Sequence, residues 1–372
     1  MQNRKITLMT LDYPPQTGGV SRYLSELVRA SHGEIDVIDA KPFLRRAWPA
    51  WWPLVSVIRR RSSGDNSHSV VFVSHVFPVG TAAWISHLIK GPNYVVLFHG
   101  LDLRLADSPW KRWLLRRVCH GSQALFCNSE STRETLKRLV PKVEATILTP
   151  GVEDRVVISR DEARRKLGID PNAKLVLSVA RLIPRKGIDV ALHAMSRIQH
   201  ERPVQYVVLG DGPDGERLAK IATESRTNVR WVRSADDEEK WSWLAASDVF
   251  ILPVRDEGSD VEGFGIVFLE AAKAGIPSVA GRSGGAVEAV RHERTGLVVK
   301  PLSIDEVEAA IRRLLDDEDL RRRLGNAARV RVERDFRWED RWKVLQERIG
   351  RTSRSSSRVV ITPRNLSGRL RR

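Results

Sequence analysis

Two glutamates bracket a glycine-punctuated apolar run in EGFGIVFLEAAKAG, residues 262–275. Glu262 and Glu270 stand eight residues apart around what reads as a helix start near Ile266. A helix start collects free backbone amides and the positive end of a dipole, so it suits phosphate. The amides of Phe264, Gly265, Ile266 and Val267 are candidates to hold such an anion, with Gly263 and Gly265 keeping the turn open. Two acids beside that place need a reason to be there.

Cations stand at a second place. In SVARLIPRKGID, Arg181 ends an apolar run and Lys186 follows five residues on, before a glycine and a helix pattern. Two cations there can neutralise a diphosphate, both bound and leaving. The competing reading is a solvated basic loop, since Arg185 is basic too. In LGDGPDGERL, Gly210, Asp211 and Gly212 suit close approach of a ligand, or simply a turn that demands positive φ. In PPQTGGVSRYL, Gly18 and Gly19 could bring bare backbone to a diphosphate at a helix start, or form an ordinary tight turn. The GxGxxG dinucleotide fingerprint is absent. His99, followed by Gly100, and His75 each end an apolar run. SGGAVEAV (283–290) adds another glycine turn before a helix.

The elements that must position these residues alternate. Strand runs are expected at 5–11, 70–74, 94–98, 124–128 and 145–148. After a polar stretch a second series follows at 174–180, 204–210, 228–232, 248–253, 277–281 and 296–300. Helical patterns lie between most of them. Such alternation predicts βαβ units and parallel sheets, whose buried strands are continuously apolar. The reading is therefore α/β, with two doubly wound, Rossmann-like parallel-sheet domains facing a cleft. The boundaries expected are 1–155 for a first domain, 156–172 for a linker and 173–335 for a second domain. A helix over 336–350 is expected to pack back on the first domain, and a basic tail covers 351–372. Ligands of such sheets sit at the carboxyl ends of the strands, where all the residues above are placed.

Bulk properties narrow the chemistry. The chain has 372 residues and a net charge of +16, from 62 basic and 46 acidic side chains. The last 22 residues, RTSRSSSRVVITPRNLSGRLRR, hold seven arginines and no acid, nearly half the excess. That composition predicts disorder. The remaining charge suits anionic partners such as nucleotide phosphates. Cys119 and Cys127 form no CxxC or Cys/His cluster, so neither a zinc site nor a disulfide framework is expected. No stretch reads as a signal peptide or a membrane span, and a reducing, cytoplasmic location is expected. A basic nucleic-acid-binding protein is a rival reading, but no helix-turn-helix, zinc or RNP signature is present, so nucleic acid is not an expected partner.

Taken together, EGFGIVFLEAAKAGIPSVAGRSGGAVEAV, VARLIPRKG, LGDGP and GGV resemble the GT-B glycosyltransferases of family 4, the retaining type, over roughly residues 5–350. EGFGIVFLE fits that family's E-x7-E signature. The stretch from 253 to 290 is most similar to phosphatidylinositol mannoside mannosyltransferases. The resemblance implies a retaining, metal-independent hexosyltransferase without a cofactor, using a nucleotide sugar, with GDP-mannose favoured. It implies that Arg181 and Lys186 grip the diphosphate and that Glu270 takes the ribose hydroxyls. Glu262 would take hydroxyls of the transferred sugar, helped by the amides of Phe264, Gly265 and Ile266. Gly19 would let the first domain close, and His99 would lie near the sugar. A sugar-nucleotide epimerase of the same fold is the enzyme alternative. It would need acid and base groups around the sugar and no acceptor.

The acceptor is expected to be a saccharide or a lipid-linked molecule. KPFLRRAWPAWWPLVSVIRRR (41–61) carries Trp48, Trp51 and Trp52 among five arginines and a lysine, and WKRWLLRRV (110–118) repeats the mixture. Tryptophan with arginine suits an anionic lipid interface on the inner face of the cell membrane. The competing expectation is that these tryptophans are core.

Overall fold

A computed structural model describes residues 6–356 apart from 17, 45–48, 50, 63–68 and 259; of residues 61, 62 and 351–356 it describes the backbone alone. The first sheet contains β1 (Ile6–Thr10), β2 (Ile35–Asp39), β3 (Val70–Val73), β4 (Asn93–Phe98), β5 (Ala124–Cys127) and β6 (Thr146–Ile147). The second contains β7 (Lys174–Val179), β8 (Val204–Leu209), β9 (Val229–Val232), β10 (Val249–Leu252), β11 (Ser278–Gly281) and β12 (Gly296–Val299). Their orders are β2-β1-β3-β4-β5-β6 and β12-β11-β10-β7-β8-β9, and every pairing is parallel. Parallel neighbours need crossovers, so helices cover both faces of each sheet.

Side-chain alternation divides the first sheet's burial between two cores. Leu8, Phe72, Val95, Leu97 and Phe126 face one layer, while Met9, Val71, Val73, Val96 and Phe98 face the other. The second domain has one continuous core, built around Leu177, Val208, Phe250, Ile251 and Phe268. β2 was not expected. Its sequence, IDVID, carries two acids in five residues, yet it sits at the sheet edge beside β1, where Asp36 is half-buried and Asp39 exposed.

The stretch 156–172 is not a bare linker. Ser159 caps the helix Arg160–Leu167 by accepting from Glu162 N–H. Within that helix Arg164 is buried. Its guanidinium donates to Asp248 Oδ2 at 3.0 Å and to the carbonyls of Ala246, Asp170, Pro171 and Ala173. A charge buried this way is held by its hydrogen bonds, and it fastens the segment to the second domain.

The helix Trp338–Ser356 returns to the first domain and runs past residue 350, where the sequence predicts its end. Trp338, Trp342, Leu345 and Ile349 join the first sheet's core, and Gln123 donates to the Ile349 carbonyl at 2.9 Å. The chain therefore passes between domains twice. Both passages meet, because Val152 N–H donates to the Phe336 carbonyl at 2.8 Å and Val152 forms a parallel bridge with Arg337.

Candidate active site

Glu262 follows β10 and is buried at the cleft. Its Oε2 accepts from Lys186 Nζ at 2.5 Å and from the Arg185 guanidinium. Both cations lie in the short 3-10 turn Pro184–Lys186 after β7. Burial pushes the Glu262 carboxyl up, but the Lys186 and Arg185 charges outweigh it and hold the group below its ordinary value. Burial, with Arg185 beside it, pulls the Lys186 ammonium down despite the Glu262 charge.

Glu270 is buried one turn into the helix Ile266–Lys273, which starts at Ile266 as the sequence suggests. Its Oε1 accepts from Lys240 Nζ at 2.9 Å and pairs with Arg22 Nε at 3.1 Å. Arg22 belongs to the first domain, in the helix Gly19–Ala30. It also reaches Asp237 at 2.8 Å and Glu153 at 3.3 Å. Burial raises the Asp237 carboxyl, yet Lys240 and Arg22 hold it down at about 2.

Between the two glutamates, the amides of Phe264, Gly265, Ile266 and Val267 donate to no partner among the described residues. Phe264 itself is buried against Phe336, Ile266 packs on the first domain's core, and Val267 packs on the second's. Their backbone, not their side chains, is available to an anion. Arg181 is exposed at the end of β7, with no hydrogen bond or ion pair among the described residues. Gly18 and Gly19 are exposed, with open space where a Cβ would be.

Gly210 is different. A Cβ there would lie 2.0 Å from the Ala180 carbonyl oxygen, so this glycine serves the packing of two loops. Asp211 is exposed and its Oδ1 accepts from Gly212 N–H. The turn reading suits this stretch better than the ligand-approach reading.

His99 ends β4 beside the second domain. It is 8 % exposed, and its Nε2 has no hydrogen-bond partner among the described residues. Burial first, then the neighbouring His75, pushes its pKa down to about 3, so the ring is neutral. Its carbonyl lies against Gly263, where a Cβ would come within 2.5 Å of that oxygen. A further contact joins the domains nearby. The Glu288 carboxylate accepts from the amides of Glu130 and Ser131, at 2.9 and 3.1 Å, at the start of the helix Glu130–Leu139. A cavity of about 630 Å³ opens between the domains, with Arg104, Arg112, Thr132, Arg138 and Glu262 in its wall.

The sequence offers Arg185 only as the ground for the solvated-loop reading, and it does not single out Arg22 or Lys240. Arg185 carried a signal in its place beside Lys186. Lys240 carried none, since in DEEKWSWLAA it reads as one charge among several on a helix. Cys119 and Cys127 are free and buried. Among the described residues, no group of three or more His, Cys, Asp or Glu side chains could hold a metal ion. No helix among the described residues is long and apolar enough to cross a membrane.

Comparison with known proteins bears on this geometry. The family described as Glycosyl transferases group 1 matches residues 159–331, and Glycosyltransferase Family 4 matches residues 32–156. A Mycobacterium tuberculosis GDP-mannose-dependent alpha-(1-6)-phosphatidylinositol monomannoside mannosyltransferase is 31% identical, covering 90% of this chain and 95% of that protein. The chain is a family 4 glycosyltransferase. A Corynebacterium glutamicum mannosyltransferase acting on the monoacylated monomannoside is 28% identical over 96% of this chain and 99% of its own. Sucrose-phosphate synthase from Thermosynechococcus elongatus superposes with a TM-score of 0.79 at 20% identity, covering 94% of this chain and 99% of that one. Anabaena HepE in complex with UDP-glucose gives 0.73 at 18% identity, covering 94% and 99%. The two sheets facing a cleft are thus the GT-B architecture in this glycosyltransferase.

Proposed function

We propose that this glycosyltransferase moves mannose from GDP-mannose to a glycan or lipid-linked acceptor, with retention at the anomeric carbon and without a divalent metal. The observation that carries the reading is the order of groups along one cleft wall: Glu262 with Lys186, then four unpartnered amides, then Glu270. That order matches a nucleotide sugar laid across a helix start, with sugar hydroxyls at Glu262, diphosphate at the amides and ribose at Glu270. Arg181 and Lys186 supply the charge that would otherwise come from a metal. On donor binding, the Lys186 ammonium exchanges Glu262 for a phosphate oxygen, and Glu262 becomes free to accept from the sugar. Glu270 likewise exchanges Arg22 for ribose.

In the transfer, the bond from the anomeric carbon to the diphosphate oxygen breaks and the acceptor oxygen bonds to the same face. The acceptor's proton passes to the leaving diphosphate, and Arg181 and Lys186 stabilise the developing charge. Glu262, still paired with Arg185 after Lys186 has moved to the phosphate and engaged by the sugar hydroxyls, is a poor nucleophile, which favours this front-face route over a covalent intermediate. The neutral His99 ring offers its unpartnered nitrogen to the sugar without repelling a cationic transition state.

The acceptor end favours a membrane surface. Trp52, Trp110 and Trp113 are 53 %, 61 % and 52 % exposed, and Lys111 and Arg117 stack on Trp110 and Trp113. Aromatic rings with such cations suit the headgroup level of an anionic bilayer. Trp51 is half-buried, and Trp48, Arg45 and Arg46 lie outside the described residues.

Thermal shift with GDP, UDP and ADP, in the wild type and in Glu270→Ala, tests the donor site. A shift that is largest with GDP and vanishes in Glu270→Ala is expected. No shift with any nucleotide would overturn the reading. Transfer in the presence of EDTA, with the product's anomeric configuration read by NMR, tests metal independence and retention.

A further inference from the structure

At the cleft end of the first sheet, Thr10, Asp12, Ser74 and His75 form a chain of hydrogen bonds whose directions can be followed. The Thr10 hydroxyl accepts from Asp12 N–H at 3.0 Å and donates to the Asp12 carbonyl at 3.3 Å. It also accepts the Ser74 hydroxyl at 2.8 Å. The Ser74 proton is therefore committed to Thr10. Ser74 Oγ, 2.9 Å from His75 Nδ1, can then accept from a protonated Nδ1. On the other edge of the ring, Nε2 stands 3.2 Å from Asp12 Oδ2. An ionised carboxylate only accepts, so it takes a hydrogen from Nε2. The protonated ring, with a hydrogen on each nitrogen, satisfies both partners at once.

The surrounding charges agree. Burial and Lys41 pull the His75 pKa down, but Asp12 and Asp102 outweigh them and raise it above the ordinary value. The hydrogen bond to His75 leads in holding the Asp12 carboxyl below its own. His99, a further titratable neighbour, is neutral.

The pair is asymmetric. The His75 side chain is 16% exposed and that of Asp12 is 45% exposed. Asp12 Oδ1 has no partner among the described residues. It lies just past the end of β1, and the carboxyl ends of these strands face the cleft. The cluster adjoins His99, whose carbonyl touches Gly263, the neighbour of Glu262. An ordinary surface ion pair would not need four further hydrogen bonds to fix its backbone and its imidazole while leaving one carboxylate oxygen open.

We propose that Asp12, held in place by His75, accepts a hydrogen bond from an acceptor hydroxyl and aims that hydroxyl at the donor sugar. The ligand at this point is the uncharged, hydroxyl-bearing ring of the acceptor, a sugar or cyclitol, since a phosphate would be repelled by the carboxylate. His75 is a positioning residue and Asp12 a binding residue. Asp12 is a weak base beside a cation, so the proton of the transfer still leaves with the diphosphate. The proposal rests on the glycosyl-transfer reading above.

The full chain is assayed with GDP-mannose as donor and phosphatidylinositol monomannoside vesicles as acceptor. Asp12→Asn is expected to raise the acceptor KM about tenfold or more, with the donor KM and the GDP thermal shift within twofold of wild type. His75→Gln should raise the acceptor KM less. In the wild type the acceptor KM should climb as pH rises through the raised His75 pKa, and this climb should be absent in His75→Gln. A donor KM that moves in parallel, or an acceptor KM unmoved in Asp12→Asn, overturns the proposal. If the wild type binds GDP but glycosylates nothing in these vesicles, nitrogen NMR of the His75 ring decides. Both nitrogens protonated below the raised pKa, and a lower pKa in Asp12→Asn, support the arrangement; a ring neutral at mildly acid pH overturns it. Absence of GDP binding in the wild type would instead sink the donor reading.

Discussion

The two walls of the cleft are prepared differently. On the second domain's wall, the acids are already paired, Glu262 with Lys186 and Arg185, Glu270 with Lys240 and Arg22. On the first domain's wall, polar atoms stand open among the described residues: His99 Nε2 has no partner, and Asp12 keeps one carboxylate oxygen free. A charged ligand entering the first kind of wall exchanges partners, so little buried charge is ever left bare. A neutral ligand entering the second kind needs only to supply donors. On the proposed reading, the difference suits the nucleotide diphosphate to one wall and uncharged hydroxyls to the other, those of the transferred sugar at His99 and those of the acceptor at Asp12.

The most forceful way to break this comparison is to remove the exchange. Lys186→Ala leaves Glu262 with Arg185 alone and takes away a phosphate partner, and kcat should fall about 100- to 1000-fold. A fall under tenfold would mean that the wall is a structural ion-pair network. Next, Glu270→Gln should raise the donor KM roughly tenfold or more, leaving the acceptor KM unchanged. A change confined to the acceptor would reverse the assignment of the walls.

Acid sharpens the comparison from another side. Glu262 is held below its ordinary pKa, so its contribution to stability is complete above the ordinary carboxylate value and is lost as pH falls through the depressed one. His75 is raised, so its contribution is complete below the ordinary imidazole value and is lost as pH rises through the elevated one. Urea midpoints of wild type, Glu262→Gln and His75→Gln across pH should therefore converge at opposite ends of the range. Convergence at the same end would overturn the contrast.

Gly263→Ala probes the seam between the walls. The added methyl would meet the His99 carbonyl at 2.5 Å and Asn128 Nδ2 at 2.9 Å, and the expected loss is about 1–3 kcal/mol of stability by thermal unfolding. The smallest effect belongs to Trp110→Ala. Its stability should stay within about 0.5 kcal/mol, while sedimentation with anionic vesicles decreases. Unchanged sedimentation would return the exposed tryptophans to ordinary surface.

Much of this was legible beforehand. All six strands of the second domain appear where mostly apolar runs place them, because strands covered on both faces favour apolar side chains; edge strand β9, with exposed Arg230, was still readable from its other three residues. Strand β2 escaped the same reasoning because an edge strand may keep acids. The helix start at Ile266 could be read from glycines and spacing. What could not be read is which cation each acid meets. Arg185 and Lys186 come to Glu262 from 76 or more residues away, and Arg22 comes to Glu270 from the other domain. Such pairings are products of tertiary approach. Periodicity reports which face of an element is buried, and says nothing about what lies opposite.

The meeting of Val152 with Phe336 and Arg337 has a mechanical consequence. Two strands of chain cross between the domains, and they are pinned to each other at one point. Two separate crossings would resist twisting like a pair of bolts. One joint leaves the halves free to turn about it as leaves about a single pin, so a rotation small enough to keep the Val152 bridge intact is amplified with distance along each leaf. The lips, where Arg22 meets Glu270 and Glu288 meets the start of the helix Glu130–Leu139, travel farthest. Each latch there is made of a few polar contacts, so a rotation about the joint is expected to open them first.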